Sequence, residues 1–164
     1  MVGCIDLVPW TARWAEAFEV AALEIRHTLT VPVLIEHIGS TAVGGLDAKP
    51  MIDVLVGVSA PTDLCSVEAA LRARSYKSAE SQHLDQAIFL QKAGDLPTNL
   101  HLTTIGSVPW QDLIGFRDRL IASSDTRTRY AALKRRLARS SGGDLDRYTA
   151  EKSAFVSETL RPHR

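Results

Sequence analysis

The chain has 164 residues, 45% hydrophobic and 23% charged, with 19 acidic and 19 basic side chains. That length suits one domain with its own core, and the composition is that of an ordinary globular protein. Zero net charge gives no bulk attraction to nucleic acid or to an anionic membrane, and two cysteines, Cys4 and Cys65, do not make a disulfide scaffold or a metal-ligand pair. No stretch approaches the ~20 apolar residues of a membrane span. The start, Met1-Val2-Gly3-Cys4-Ile5-Asp6, lacks the basic-then-apolar pattern of a signal peptide. A cytoplasmic protein with no membrane partner is therefore expected.

Residues 5–8 read as a short extended segment stopped by Pro9. A helix is predicted over residues 10–29, with Trp14, Phe18, Ala21, Ala22, Ile25 and Leu29 on one apolar stripe. Trp10 and Trp14 are expected in the core. Residues 33–38 are β-branched and apolar, hence a strand. A loop over residues 39–50 leads to a second strand at 51–58. A helix begins near Pro61-Thr62-Asp63, capped by Thr62 or Asp63. Residues 75–84 read as a loop with a short strand around Tyr76. Strands at 87–90 and 100–105 are joined across Gly94-Asp95-Leu96-Pro97. Three helices follow, over residues 110–122, 126–139 and 144–160, the last two separated by Ser141-Gly142-Gly143. The layout is an α+β domain spanning residues 1–164, with one mixed sheet of about four to five strands and helices packed on it.

Charge is unevenly spread. Residues 1–60 hold seven acidic and three basic side chains, whereas residues 115–139 hold eight basic against Asp118 and Asp125. The two halves are placed to meet across a cleft. The chemistry concentrates in residues 35–56: a strand ending in His37-Ile38, a Gly39-Ser40 turn, a glycine-bearing loop, the Lys49-Pro50 step, and an apolar strand carrying Asp53. A turn of small residues with free N–H groups suits a phosphate. An aspartate in an apolar strand needs a partner or a task.

The run from His37 through Gly39-Ser40-Thr41 to Gly44-Gly45-Leu46, then Ala48-Lys49-Pro50 and Ile52-Asp53, resembles the signature of the GrpB family. So do Val8-Pro9-Trp10, Asn99-Leu100-His101-Leu102, Phe116-Arg117-Asp118-Arg119-Leu120, Tyr130 with Leu133-Lys134, and Tyr148-Thr149 with Lys152. The resemblance covers nearly the whole chain in order. It implies a nucleotidyltransferase fold. In that superfamily a Gly-Ser turn donates to the phosphates of a nucleoside triphosphate. A carboxylate pair two residues apart, with a third on a neighbouring strand, holds divalent metal ions. Gly39, Ser40 and Thr41 are then phosphate contacts, and Asp53 is a metal ligand or general base. The position two beyond Asp53 is Leu55, so one carboxylate of the pair is missing. His101, with Asn99 and Thr103 on its strand face, stands where the third would be.

Each candidate carries a structural alternative. Gly39-Ser40 is a tight turn in either case. Lys49 is a solvated loop lysine or a counter-charge to phosphate or carboxylate. Asp53 pairs with Lys49 or Arg117, or acts at the site. His37 is a satisfied strand histidine, or joins His101 and Asp53 in a two-histidine, one-carboxylate metal site. Glu36 alternates with His37 and faces the other way. Arg117 and Asp118 are adjacent and do not share a helix face; Arg117 is the candidate for bidentate phosphate recognition. The basic residues of 126–139 form a solvated face, with Lys134 sent to the site by the family match. Tyr148 and Lys152, one turn apart, face the cleft or pack on the surface.

The resulting expectation is an enzyme. It takes ATP or another nucleoside triphosphate with Mg²⁺ or Mn²⁺, and transfers a nucleotidyl group to a small-molecule acceptor, with a ligase-like outcome as a variant. Asp53, His101 and Lys49 are the catalytic candidates. The phosphates fall to Gly39, Ser40, Thr41, Lys49, Arg117, Lys134, Tyr148 and Lys152. The alternative is a non-catalytic nucleotide- or phosphate-binding module with a degenerate fold, which suits the resemblance of such domains to extensions of dephospho-coenzyme A kinases. Single-strand nucleic-acid binding is disfavoured by the neutral pI and the lack of aromatics interleaved with the basic helix.

Overall fold

A computed structural model of the chain describes residues 6–79, 87–140 and 145–161, with only the backbone described at 140 and 145–149. The expected Ser141-Gly142-Gly143 break and the later part of the 75–84 loop lie outside the described residues. Helix α1 runs Arg13–Thr28 and buries the predicted stripe. Strand β1 (Val33–Ile38) leads through a 3-10 turn at Ser40–Ala42 to β2 (Ile52–Val58). Helix α2 (Leu64–Arg72) is capped by Asp63, whose carboxylate accepts from the backbone N–H groups of Cys65 and Ser66 at 3.0 and 3.2 Å. Strands β3 (Lys77–Ser78), β4 (Ile88–Lys92) and β5 (Thr98–Thr104) complete the sheet. Helices α3 (Val108–Ala122), α4 (Ser124–Ser140) and α5 (Leu145–Leu160) follow.

The strand order is β1-β2-β5-β4-β3, with every pairing antiparallel except the central β2–β5 pair. Because side chains alternate across a strand, β2 sends Ile52, Val54, Val56 and Val58 to one face and Asp53, Leu55 and Gly57 to the other. The first set is buried against α1 and α2 with Leu100 and Leu102 of β5. The second faces α3, where Ile38, Leu55 and Trp110 form a smaller apolar cluster. A third cluster, Val43, Leu46, Leu120 and Tyr130 with Phe116 and Phe155, ties the loop after the turn to α3, α4 and α5.

One tryptophan departs from expectation. Trp14 is buried, but Trp10 is 37% exposed and precedes α1 rather than belonging to it. Helix α1 begins three residues later than predicted, and its N-cap residue Ala12 makes no side-chain capping bond. Trp10 is held by its indole N–H, which donates to the Thr41 carbonyl at 3.1 Å.

Gly57 explains how α3 can lie so close. A Cβ there would meet Trp110 Cζ3 at 2.3 Å, so only glycine lets the indole reach the central strand. Gly57→Ala should therefore destabilise the protein by about 1–3 kcal/mol through overpacking. In a chain of this size that lowers the melting temperature by roughly 2–4 °C per kcal/mol. A calorimetric scan with an unchanged midpoint would overturn this account of the α3 contact.

Candidate functional site

The site begins where β1 runs out. Gly39 has φ 72° and ψ −167°, a region open in practice only to glycine. Its missing side chain is also needed for space, since a Cβ there would lie 2.2 Å from Asp53 Oδ2. Sheet register brings the two together: Ile38 pairs with Asp53 across the antiparallel β1–β2 ladder. On the other flank Asp53 pairs with Asn99 of β5, whose side-chain amide donates to Asp53 Oδ1 at 3.0 Å. The carboxylate is thus clamped between the glycine and the amide. Lys49 attracts Asp53 electrostatically, whereas the Arg117 guanidinium bonds to Glu36, the His37 carbonyl and Asp118.

Thr41 is buried, and its hydroxyl pairs with His37 Nε2 at 3.0 Å. Ser40, the residue before it, faces Lys134. This lysine comes from α4 and is only 3% exposed. Its ammonium donates to Ser40 Oγ at 2.7 Å and to the Asp47 carbonyl, and lies 5.4 Å from the Tyr130 ring centre. Burial lowers its pKa to about 7, with Lys152 and Lys49 adding repulsion against the attraction of Asp47 and Asp53. Lys49 is also lowered, first by burial and then by Lys152, with Asp53 opposing. Lys49, Lys134, Lys152, Asp53 and the Ser40 turn therefore share one locality.

His101 pairs in register with Leu55 and lies on the same sheet face as Asp53 and Asn99. Phe89 packs edge-on to its ring at 4.8 Å. Its Nδ1 is buried with no hydrogen-bond partner among the described residues. Burial lowers its pKa, with Asp53 opposing and Lys152 adding to the shift, which keeps the ring neutral near pH 7.

His37 does not join this group. It pairs with Val54, on the α1 side of the sheet, and stacks on Phe18 at 4.6 Å with the rings 3° from parallel. The pleat that separates it from Asp53 and His101 rules out the expected two-histidine, one-carboxylate site. Among the described residues no group of three or more His, Cys, Asp or Glu side chains is placed to hold a metal ion. Leu55, where a second carboxylate would stand, is fully buried against Ile38 and Trp110. The residues present fit one divalent cation on Asp53, completed by phosphate oxygens and water, and do not fit two.

Arg117 is committed elsewhere. Its guanidinium donates to Glu36 at 2.7 Å, to the His37 carbonyl at 3.0 Å and to Asp118 at 2.9 Å. It braces β1 against α3 on the face where Glu36 points. Adjacent helical residues do meet here, because the long arginine side chain bends back to Asp118. The basic face of α4 is similarly engaged. Arg127 caps the Leu120 carbonyl of α3 at 2.9 Å, Arg135 pairs with Asp47 at 2.8 Å and Arg136 with Glu151 at 3.0 Å. Lys152, on α5, lies within electrostatic reach of Lys49, His101 and Lys134. The Tyr148 side chain lies outside the described residues. Sequence reasoning missed Asp47, whose backbone carbonyl takes Lys134, and the Trp10 bond to Thr41. A main-chain acceptor leaves no mark in residue type. A cavity of about 320 Å³ between the segment after α1 and helix α2, and one of about 300 Å³ between α1 and the β4–β5 connection, lie away from this site.

The Gly-Ser turn thus feeds an aspartate-bearing strand in a mixed sheet packed by α1 and α2 on one face and by α3 on the other. A chain in the structure of the GLD-2/RNP-8 complex has a similar fold, with TM-score 0.57 at 13% identity over 91% of this chain and 58% of that one. Residues 4–161 match the GrpB protein family, and the chain belongs to it. The crystal structure of GrpB from Enterococcus faecalis is similar at TM-score 0.80 and 26% identity, covering 94% of this chain and 97% of that one. The UPF0157 protein BH1888 of Halalkalibacterium halodurans is 33% identical over 160 residues, 96% of this chain and 81% of its own length. Among the described residues no helix is long and apolar enough to cross a membrane.

Two measurements test this geometry. Gly39→Ala adds both backbone strain and overlap with Asp53, so it should cost about 2 kcal/mol or more. Gly44→Ala, where a Cβ meets nothing within 4 Å, should change stability by less than about 0.5 kcal/mol. Equal losses in denaturant titrations would contradict the packing described. The second test concerns His37, whose pKa is lowered from 6.5 to about 4, chiefly by burial. The unfolded chain binds the proton more readily between those values, so stability rises with pH from about 4 to 6.5. Because the ring is partly screened by solvent, the change is about 1–2 kcal/mol, below what the full shift would give. His37→Gln should flatten that slope, and an unaltered slope would refute the assignment.

Proposed function

We propose that the chain binds a nucleoside triphosphate over the Gly39-Ser40 turn and transfers its nucleotidyl group to a small-molecule acceptor. The observation that carries this reading is Lys134. A buried lysine held on the hydroxyl of the phosphate-type turn, with two further lysines in electrostatic reach, is poorly suited to a purely structural role. Burying an ammonium costs free energy that an anionic ligand offsets.

The chain's own groups divide the work. Ser40 Oγ accepts from Lys134, which leaves the Ser40 O–H to donate to a phosphate oxygen. Lys49, Lys134 and Lys152 neutralise the pyrophosphate as it leaves. Asp53, fixed by Asn99, would hold one Mg²⁺ or Mn²⁺. When bound, that ion supplies charge neutralisation at the α-phosphate and lowers the pKa of the acceptor. His101, kept neutral by burial, takes the acceptor's proton. The acceptor oxygen or nitrogen bonds to the α-phosphorus, and the bond to the β-phosphate bridge breaks. An acceptor carboxylate would give an acyl adenylate, the activated form used in ligation.

A second reading, a phosphate-binding module without turnover, is favoured by Leu55 alone. Pyrophosphate release separates the two. Wild-type protein with ATP, GTP, CTP or UTP, Mg²⁺ or Mn²⁺, and a panel of small hydroxyl, amine and carboxylate acceptors should release pyrophosphate. Asp53→Ala should lower that rate by about a hundredfold or more. Nucleotides should raise the melting temperature of both proteins, by up to ~2.7 kcal/mol of stabilisation at a hundredfold excess over Kd. Stabilisation with no release from any acceptor would favour the binding module. No stabilisation by any nucleotide would defeat both readings.

A further inference from the structure

A line of hydrogen bonds crosses β4, β5 and β2 on the sheet face that carries Asp53. The Gln91 amide on β4 donates to Asn99 Oδ1 on β5 at 2.9 Å, and the Asn99 amide donates to Asp53 Oδ1 on β2 at 3.0 Å. Register lays the line out. Gln91 pairs with Asn99 across the β4–β5 ladder, and Asn99 pairs with Asp53 across the β5–β2 ladder. Directly paired residues put their side chains on the same face, so these amides and the carboxylate meet without help from a loop.

The direction of both bonds follows from the chemistry of the groups. A carboxylate only accepts, so Asn99 must turn its NH₂ toward Asp53. Its carbonyl oxygen then faces β4 and calls for a donor, which Gln91 supplies. The Asn99 NH₂ also donates to Met51 Sδ, a weak acceptor, in keeping with the same orientation. Two results follow. Asp53 Oδ1 is occupied, while among the described residues no hydrogen bond reaches Oδ2, the oxygen beside Gly39. The Asn99 carbonyl oxygen, itself a ligand suited to a hard cation, is turned away from Asp53 and held by Gln91.

We propose that Gln91 is a positioning residue of this site: acting through Asn99, it leaves Asp53 a single open oxygen and so selects a small six-coordinate cation over Ca²⁺. The proposal rests on the reading that Asp53 holds the cation of a bound nucleoside triphosphate. Mg²⁺ and Mn²⁺ need only one protein oxygen there, since phosphate and water complete the octahedron. Ca²⁺ takes roughly 6–8 oxygens and gains from bidentate carboxylates and amide carbonyls, both of which the Gln91–Asn99 pair withholds. Gln91 is exposed, so substitutions there leave the fold intact.

Reversing the hydrogen-bond direction at position 91 tests this. Gln91→Glu can only accept, so it turns the Asn99 amide and brings its carbonyl oxygen round to Asp53. Gln91→Lys can only donate and keeps the original direction. The metal-free protein gives the first readout. In wild type and Gln91→Lys, the Asn99 NH₂ should show a nuclear Overhauser contact with the Met51 methyl group, and Gln91→Glu should lose it. Water-proton relaxation with Mn²⁺ and α,β-methylene-ATP gives the second, with Ca²⁺ as competitor. The preference for Mn²⁺ over Ca²⁺ should fall by about tenfold in Gln91→Glu and hold in Gln91→Lys. The ratio is the quantity to follow, because a new charge at 91 moves both cations alike. An Overhauser contact that survives Gln91→Glu, or one preference in all three proteins, overturns the proposal and leaves the nucleotide site standing. Mn²⁺ that Asp53→Asn does not release overturns it as well. If no Mn²⁺ joins the protein with the nucleotide, the proposal and the nucleotide site fall together.

Discussion

The contact between Asp53 and Gly39 is the constraint on which the site is built. A carboxylate on a central strand must sit beside a turn whose backbone curls through a left-handed angle. Only a residue without a side chain satisfies both demands. Register then does the rest. With Ile38 opposite Asp53 on one side and Asn99 on the other, the carboxylate is fixed in direction before any ligand arrives. That fixity matters because preorganised groups need no rearrangement when charge develops.

Around that clamp the sheet separates its work by face. The α1 side is conventional core, with valines and leucines in register. The α3 side mixes an apolar cluster, a buried histidine and the polar end that meets α4 and α5. The two kinds of environment sit within one strand, since Asp53 and Leu55 are separated by a single pleat. Packing of Leu55 under Trp110 stabilises the core, and it withdraws the second position from metal chemistry.

Much of this was legible in the sequence. The stripe of α1, the five strand segments and the Gly-Ser turn follow from periodicity and turn chemistry. Alternation alone placed Glu36 and His37 on opposite faces, and Asn99 with His101 on one. The same alternation, applied across the β1–β2 ladder, would have separated His37 from Asp53, but register needs a pairing partner and an alignment that one chain does not display. The bonds of Arg117 to Glu36 and the His37 carbonyl were hidden for a related reason. A guanidinium suits phosphate and carboxylate equally, and only the fold shows that Glu36 lies within reach. Lys134 came from family resemblance, because its helix reads as a solvated basic face until Arg127, Arg135 and Arg136 are seen to be tied to neighbouring elements. Helix α1 starts later than its pattern suggested because Trp10 is drawn to the Thr41 carbonyl.

That last bond gives the turn a built-in optical label. Trp14 and Trp110 are buried, whereas the Trp10 indole is partly open to water and bonded to the residue beside Ser40. Its emission is the one sensitive to a change at the turn, with two shielded indoles as an internal reference. Occupancy of the Ser40 turn can thus be followed by native fluorescence, without a dye and without waiting for any reaction to occur.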